Sequence, residues 1–160
     1  MMQFLIAAPS SSSGKTTVAC AVLAALKKRG ADPCAFKSGP DYIDPMFHRA
    51  VLGVESRNLD LFFSAPETVR TLYAKGAAGH GAAVCEGAMG FYDGLGGVSD
   101  RASAWHLADT LGLPVLLVDC GLTDEGRRAA ALLSDMNTKL LTPQELAAYY
   151  TEEDTTEQGR

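Results

Sequence analysis

The chain has 160 residues, of which 47% are apolar and 21% charged, and a formal net charge of −5. That size and composition suit one globular domain with a buried core. The acidic balance argues against a nucleic-acid surface, and no apolar run reaches the ~18–20 residues that a membrane span requires.

The first predicted element is a strand over residues 3–8, "QFLIAA", a continuous apolar run of strand length. No basic segment precedes it, so it reads as a buried strand rather than a signal peptide. "TTVACAVLAALKKRG" (16–30) has apolar residues at helical spacing, basic residues in its last turn and a closing glycine, which predicts a helix. A second short strand follows at 33–37. The Gly and Pro content of 39–45 predicts a loop, and 46–53 a short helix. Residues 65–77 read as a helix with Pro66 near its first turn. A third strand is predicted at 82–87, a glycine-rich loop at 88–98, a helix at 103–112 and a fourth strand at 114–119. Two further helices are predicted at 123–137 and 142–150, the second opened by a capping-box pattern of Thr142, Pro143 and Glu145. The polar, acidic stretch 151–160 is predicted to be flexible.

Apolar strands that alternate with helices imply an α/β fold, a parallel sheet covered by helices on both faces. Cys20, Cys34, Cys85 and Cys120 have apolar neighbours and form no C-x-x-C pair, which predicts reduced core thiols and a cytoplasmic setting. They and the scattered His48, His80 and His106 lack the spacing of a metal cluster.

The stretch that carries chemistry is "APSSSSGKTT" (8–17), which lies between the first strand and the first helix. Strand, loop, helix is the context of a phosphate-binding loop, in which backbone N–H groups and the helix dipole face phosphate oxygens. Ser11, Ser12, Ser13, Gly14, Lys15, Thr16 and Thr17 are the candidate nucleotide-binding residues. Lys15 would contact the β- and γ-phosphates, and the Thr16 hydroxyl would bind Mg²⁺. The full pattern G-x-x-x-x-G-K-[ST] is not met, because Pro9 holds the first glycine position. The stretch alone therefore also fits a serine-rich turn that caps a cationic helix.

In an open parallel sheet, ligands bind beyond the carboxyl ends of the strands. The second predicted strand ends in Lys37, with Asp41 and Asp44 after it; the third ends in Glu86, with Asp93 in the following loop. Lys15, Thr16, Lys37, Asp41 and Glu86 can thus converge on one crevice. Its carboxylates and hydroxyl are hard oxygen donors suited to Mg²⁺ with ATP, and its two lysines suit a transferring phosphoryl group.

"APSSSSGKTTVACAVLAAL", "FKSGPDYIDPMFHRAVLG", "SRNLDLFF" and "EGAMGFYDG" together resemble the successive motifs of the cobyrinic acid a,c-diamide synthase family. Hydrogenobyrinic acid and Ni-sirohydrochlorin a,c-diamide synthases share much of the pattern, and the resemblance covers residues 3–119. It implies a P-loop NTPase-type three-layer fold with a mainly parallel sheet, dethiobiotin synthetase-like and here incomplete. It implies that Thr16, Asp41 and Glu86 hold Mg²⁺, that Lys37 lies near the transferred phosphoryl group, and that Asp44 and Asp93 take part in catalysis. Tyr42 and Asp93 are implied to position side chains of a corrinoid or related tetrapyrrole. Asn58, Leu59 and Asp60 match a family motif without assigned chemistry. The implied reaction is ATP-dependent amidation of the a- and c-carboxylates through acyl phosphates.

Two departures from the family pattern bear on these expectations. The family loop more usually has glycine where Ser12 stands, and a position that needs positive φ would cost serine roughly 1 kcal/mol or more. The pattern also fades after "PVLLVDC", and no glutaminase triad follows Cys120. The expected organisation is a truncated synthetase domain over 1–120, a helical segment over 121–150 and a tail over 151–160. Ammonia would then come from a glutaminase domain or subunit absent here, and an unpaired sheet edge would invite a homodimer. Three other readings stay open: a remnant that binds ATP or nothing, dethiobiotin synthetase-like chemistry, and a partition-type P-loop ATPase. The last uses an extra lysine early in the loop, and Ser10 to Ser13 supply none.

Overall fold

The computed structural model describes residues 1–118 and 139–141. Six strands form one sheet: β1 (Met2–Ala7), β2 (Pro33–Ser38), β3 (Glu55–Leu59), β4 (Ala82–Glu86), β5 (Val115–Val118) and β6 (Lys139–Leu141). Their order is β3-β2-β4-β1-β5-β6, and every pairing is parallel. Four α-helices accompany them: α1 (Lys15–Lys28), α2 (Ile43–Phe47), α3 (Pro66–Ala77) and α4 (Ala104–Leu111).

Alternate residues of each central strand feed two separate cores, as period-two side-chain geometry requires. Ile6, Ala35, Val84 and Val118 pack with Ala19, Leu23 and Leu26 of α1. Leu5, Phe36, Cys85 and Leu117 pack on the other face with Val69 and Tyr73 of α3 and Leu107 of α4. The result is the expected three-layer α/β fold. β2 and β4 are buried along their whole length, which is why they read as runs rather than as alternations.

The sequence reading missed β3. Its sequence, ESRNL, is mostly polar, and three of its five residues are exposed because it lies at the sheet edge. Glu55 and Arg57 face solvent there as an ion pair with oxygen and nitrogen 3.5 Å apart, the kind of charged edge that discourages further pairing. The region after β2 also needs correction. The expected loop over 39–45 already contains the start of α2, which runs directly into a π-helix over His48–Leu52. Pro45 does not prevent this, because it occupies the third helical position, where no backbone N–H is needed.

The three other α-helices begin and end for local reasons. Gly14, at φ 81°, caps α1; Pro66 opens α3; and Ser103 accepts a hydrogen bond from His106 N (3.1 Å) at the start of α4. Gly112, at φ 63°, closes α4. The helices expected at 123–137 and 142–150, the tail over 151–160 and Cys120 lie outside the described residues. Within the expected helical segment 121–150, residues Lys139–Leu141 form strand β6 beside β5. Cys20, Cys34 and Cys85 carry free thiols. Burial pushes the Cys34 thiol up to about 11 and the Cys85 thiol higher still, so both behave as apolar core groups. No described helix is long and apolar enough to cross a membrane.

Candidate functional site

The loop after β1, Lys37 near the end of β2 and Glu86 at the end of β4 meet at the carboxyl edge of the sheet. The strand order explains the meeting. The chain passes from β1 over β4 to β2 and β3, then returns to insert β4 beside β1. Register does the rest: Glu86 stands opposite Ile6 on one side and Lys37 on the other, and Lys37 stands opposite Asn58 of β3. A cavity of about 490 Å³ opens at this point. All seven predicted loop residues, Ser11, Ser12, Ser13, Gly14, Lys15, Thr16 and Thr17, line it together with Lys37, Asp41, Asp44 and Glu86. Gly87, Ala88 and Met89 complete the wall, and the sequence reading gave them no role.

The phosphate loop holds its shape through its own groups. Lys15 Nζ donates to the Ser10 carbonyl at 2.9 Å, and the Ser13 hydroxyl to the same carbonyl at 3.1 Å. Lys15 is buried; burial first, and then the Lys37 charge, push its pKa below the ordinary lysine value, against the pull of Glu86 and Asp93. Ser12 adopts φ 60°, so the conformation that the family glycine would supply is present with a serine in it. Replacing Ser12 with glycine is expected to raise the unfolding free energy by about 0.5–1 kcal/mol, the relief of left-handed strain less the entropy that glycine adds to the unfolded chain. Urea unfolding of wild type and Ser12→Gly checks this; equal or lower stability of the variant would show that the loop stores no strain at this residue.

Beside the loop is a buried charge cluster. Lys37 Nζ lies 2.6 Å from Glu86 Oε1, 2.6 Å from Asp44 Oδ2 and 3.8 Å from Asp41 Oδ2. The Thr16 hydroxyl donates to Glu86 Oε1 at 2.6 Å and lies 3.4 Å from Asp44 Oδ2. Burial acts to lower the Lys37 pKa, but the Glu86 and Asp44 carboxylates outweigh it and hold the ammonium above its ordinary value. Glu86 Oε1 is thus engaged twice, while its buried Oε2 has no hydrogen-bond partner.

The two aspartates differ in their contacts. Asp41 Oδ1 accepts from Ile43 N (2.8 Å) and Asp44 N (3.3 Å), so this carboxylate caps the first turn of α2. Asp44, delivered by that turn, is the one in close contact with Lys37. Asp93 does not line the crevice. Its Oδ2 accepts from Gly90 N at 2.7 Å, and it borders a second cavity of about 520 Å³ with Tyr92, Gly97, Val98, Ser99 and Asp100. It is tied to the phosphate loop all the same: a Cβ on Gly90 would stand 2.6 Å from both the Pro9 carbonyl and Asp93 Oδ2, and Phe91 N donates to Ala8 O at 2.8 Å. Tyr42 is 83% exposed beside the crevice and does not line it.

The donor set fits Mg²⁺ held jointly with a nucleotide. Three carboxylates outnumber two ammonium groups, a threonine hydroxyl is at hand, and a buried carboxylate oxygen lacks a partner. No described group of three His, Cys, Asp or Glu residues could chelate a metal by itself.

The sequence pattern of the CobQ/CobB/MinD/ParA nucleotide binding domain matches residues 4–147. A cobyrinate a,c-diamide synthase of Gloeobacter violaceus is 51% identical over 117 residues, which cover 73% of this chain and 26% of that protein. A cobyrinate a,c-diamide synthase of Clostridium tetani is 47% identical over 118 residues, 74% of this chain and 26% of its own length. A hydrogenobyrinate a,c-diamide synthase of Streptomyces coelicolor is 47% identical over 131 residues, 82% and 27% of the two chains. The chain therefore spans about a quarter of the length of the curated relatives it matches.

Proposed function

The chain belongs to the CobQ/CobB/MinD/ParA nucleotide binding domain family, and from that premise we propose that its strand-end crevice binds Mg-ATP and activates carboxylates of a corrinoid or related tetrapyrrole for amidation. The observation that carries the proposal is the buried contact of Lys37 with Glu86 and Asp44 directly beside the Lys15–Thr16 end of the phosphate loop. The similarity to cobyrinate and hydrogenobyrinate a,c-diamide synthases supports the choice of substrate.

A free carboxylate is a poor acylating agent, because its leaving group would be oxide. Attack of a substrate carboxylate oxygen on the γ-phosphorus of ATP breaks the bond to the β–γ bridging oxygen, releases ADP and forms an acyl phosphate. Ammonia then adds to the acyl carbon, phosphate leaves with the C–O bond electrons, and a proton is lost from nitrogen to give the amide. The phosphate-loop N–H groups and Lys15 would hold the β- and γ-phosphates, with Lys15 released from the Ser10 carbonyl to do so. Lys37 is placed to neutralise charge on the transferred phosphoryl group. Thr16, Glu86 and either Asp41 or Asp44 would hold Mg²⁺, which supplies Lewis-acid stabilisation of the phosphate oxygens. Asp41 would do so while capping α2, and Asp44 would do so from closer to Lys37 and Thr16. We assign Tyr42 and Asp93, both outside the crevice, to the substrate side, with Asp93 in a supporting catalytic role. The ammonia would come from a glutaminase domain or subunit.

The test is ADP release from the whole chain given Mg-ATP, ammonium and cobyrinic acid. Release that depends on the corrinoid acid is the expected result. ATP binding without corrinoid-dependent ADP release overturns the amidation reading and leaves a nucleotide-binding module. Nucleotide-induced dimerisation in light scattering would favour a partition-type ATPase instead.

A further inference from the structure

Asn58 lies on the edge strand β3, is exposed and does not line the crevice. Its motif carries no chemistry in the sequence reading, yet its side-chain amide nitrogen donates twice. Nδ2 donates to the Gly39 carbonyl at 2.6 Å and to the Asp41 carbonyl at 2.8 Å. The same turn is fastened by Gly39 N to the Leu59 carbonyl (2.9 Å) and by Asp41 N to the Gly39 carbonyl (3.1 Å). We propose that Asn58 is a positioning residue of the crevice: it fixes the 39–41 turn, so that Asp41 caps α2 and Asp44 is held against Lys37 and Thr16.

Three features carry this inference. First, α2 has five residues and continues into the π-helix over His48–Leu52, whose His48 and Arg49 are bonded to Ser56, so the far end of α2 is held there and its near end is held by the 39–41 turn and the Asp41 carboxylate. Second, each link from Asn58 to the crevice is a short polar contact: the Asn58 amide to the Asp41 carbonyl, the Asp41 carboxylate to the Ile43 and Asp44 amides, and the Asp44 carboxylate to Lys37. Third, register places Asn58 directly opposite Lys37, so the strand that bears the anchor and the strand that bears the lysine move together. A carboxamide suits the task because one planar nitrogen offers two donors. Aspartate of the same shape would turn oxygen toward two carbonyl oxygens, and alanine would leave those carbonyls to water.

The effect on the ligand-free chain stands on geometry alone, whereas the effect on Mg-ATP rests on the function proposed above. Two measurements on the whole chain separate them. In amide hydrogen exchange without nucleotide, Asn58→Ala and Asn58→Asp are expected to speed exchange at Ile43 and Asp44 about tenfold, with Phe36 and Cys85 in the central strands unchanged. In calorimetric titration, Asn58→Ala is expected to raise the ATP dissociation constant about tenfold in Mg²⁺ and to leave it unchanged in EDTA. In a background that carries both Asp41→Ala and Asp44→Ala, Asn58→Ala should add no further loss. Unchanged exchange at Ile43 and Asp44 overturns the inference, as does faster exchange in all strands together, which would mean that Asn58 supports the sheet rather than α2. Equal loss of ATP affinity with and without Mg²⁺ also overturns it, as does a further loss in the background that lacks both aspartates. If the wild-type chain binds no Mg-ATP, the nucleotide reading falls, and the exchange comparison alone decides the role of Asn58.

Discussion

Lys15→Ala is expected to weaken Mg-ATP binding by on the order of 10²–10⁴-fold, because it removes contacts to two phosphates worth about 1.5–3 kcal/mol each. The structure makes this a local change. Among the described residues, Lys15 Nζ bonds only to a loop carbonyl, that of Ser10, which water can satisfy in the variant. The loop hydrogen bond from Ser13 to Ser10 survives, as does the Gly14 conformation that opens α1. Thermal stability should therefore change little while nucleotide affinity collapses. Isothermal titration with ATP and Mg²⁺ reads the effect directly; affinity within a few-fold of wild type would remove the phosphate role from this loop.

Lys37→Met is expected to have the opposite profile, with a large effect on stability before any nucleotide is added. Met keeps the length and apolar stem of lysine but leaves Glu86 and Asp44 without their shared cation. Breaking a buried pair from one side costs about 3–5 kcal/mol, because a charge is left uncompensated. Glu86 is 1% exposed and, among the described residues, has no second basic group in contact, so the penalty falls on a site that water does not reach. Adding Glu86→Gln to Lys37→Met should restore most of the loss, since the pair is then removed rather than broken. The pH dependence has a definite sign. The folded-state pKa of Lys37 lies above its ordinary value of 10.5, so its contribution is fully present below pH 10.5. It is lost as pH rises through the higher folded value, and the stability gap between wild type and Lys37→Met should narrow there. Urea unfolding at neutral and strongly alkaline pH measures that gap. A variant as stable as wild type at neutral pH would show that the cluster contributes nothing to folding.

The two variants are expected to divide the crevice into a half that binds nucleotide and a half that also holds the fold together. That division was invisible in the sequence, where Lys15 and Lys37 look alike as lysines at strand ends. Lys15 could be read as a phosphate ligand from its place between an apolar strand and a helix. Lys37 could be placed near the same crevice from the end of the second apolar run. Its burial among Glu86, Asp44 and Thr16 is a product of register between strands about fifty residues apart in sequence, which no local pattern encodes.

The sequence by itself determined the layered α/β architecture, because both faces of a parallel sheet are buried and its central strands must be apolar throughout. It also marked the loop over residues 8–17 as the candidate phosphate loop, because the pattern is local: a turn, a lysine and a hydroxyl within ten residues of one another. Only the tertiary structure decided what depends on contacts between distant segments. It found β3, because an edge strand needs no apolar pattern. It separated Asp41, which caps α2, from Asp44, which reaches Lys37, although both acids lie in one short motif. It set Asp93 against Gly90 and outside the crevice, and it gave Asn58 a task, by placing the polar end of an edge strand against the backbone of the turn that aims Asp44.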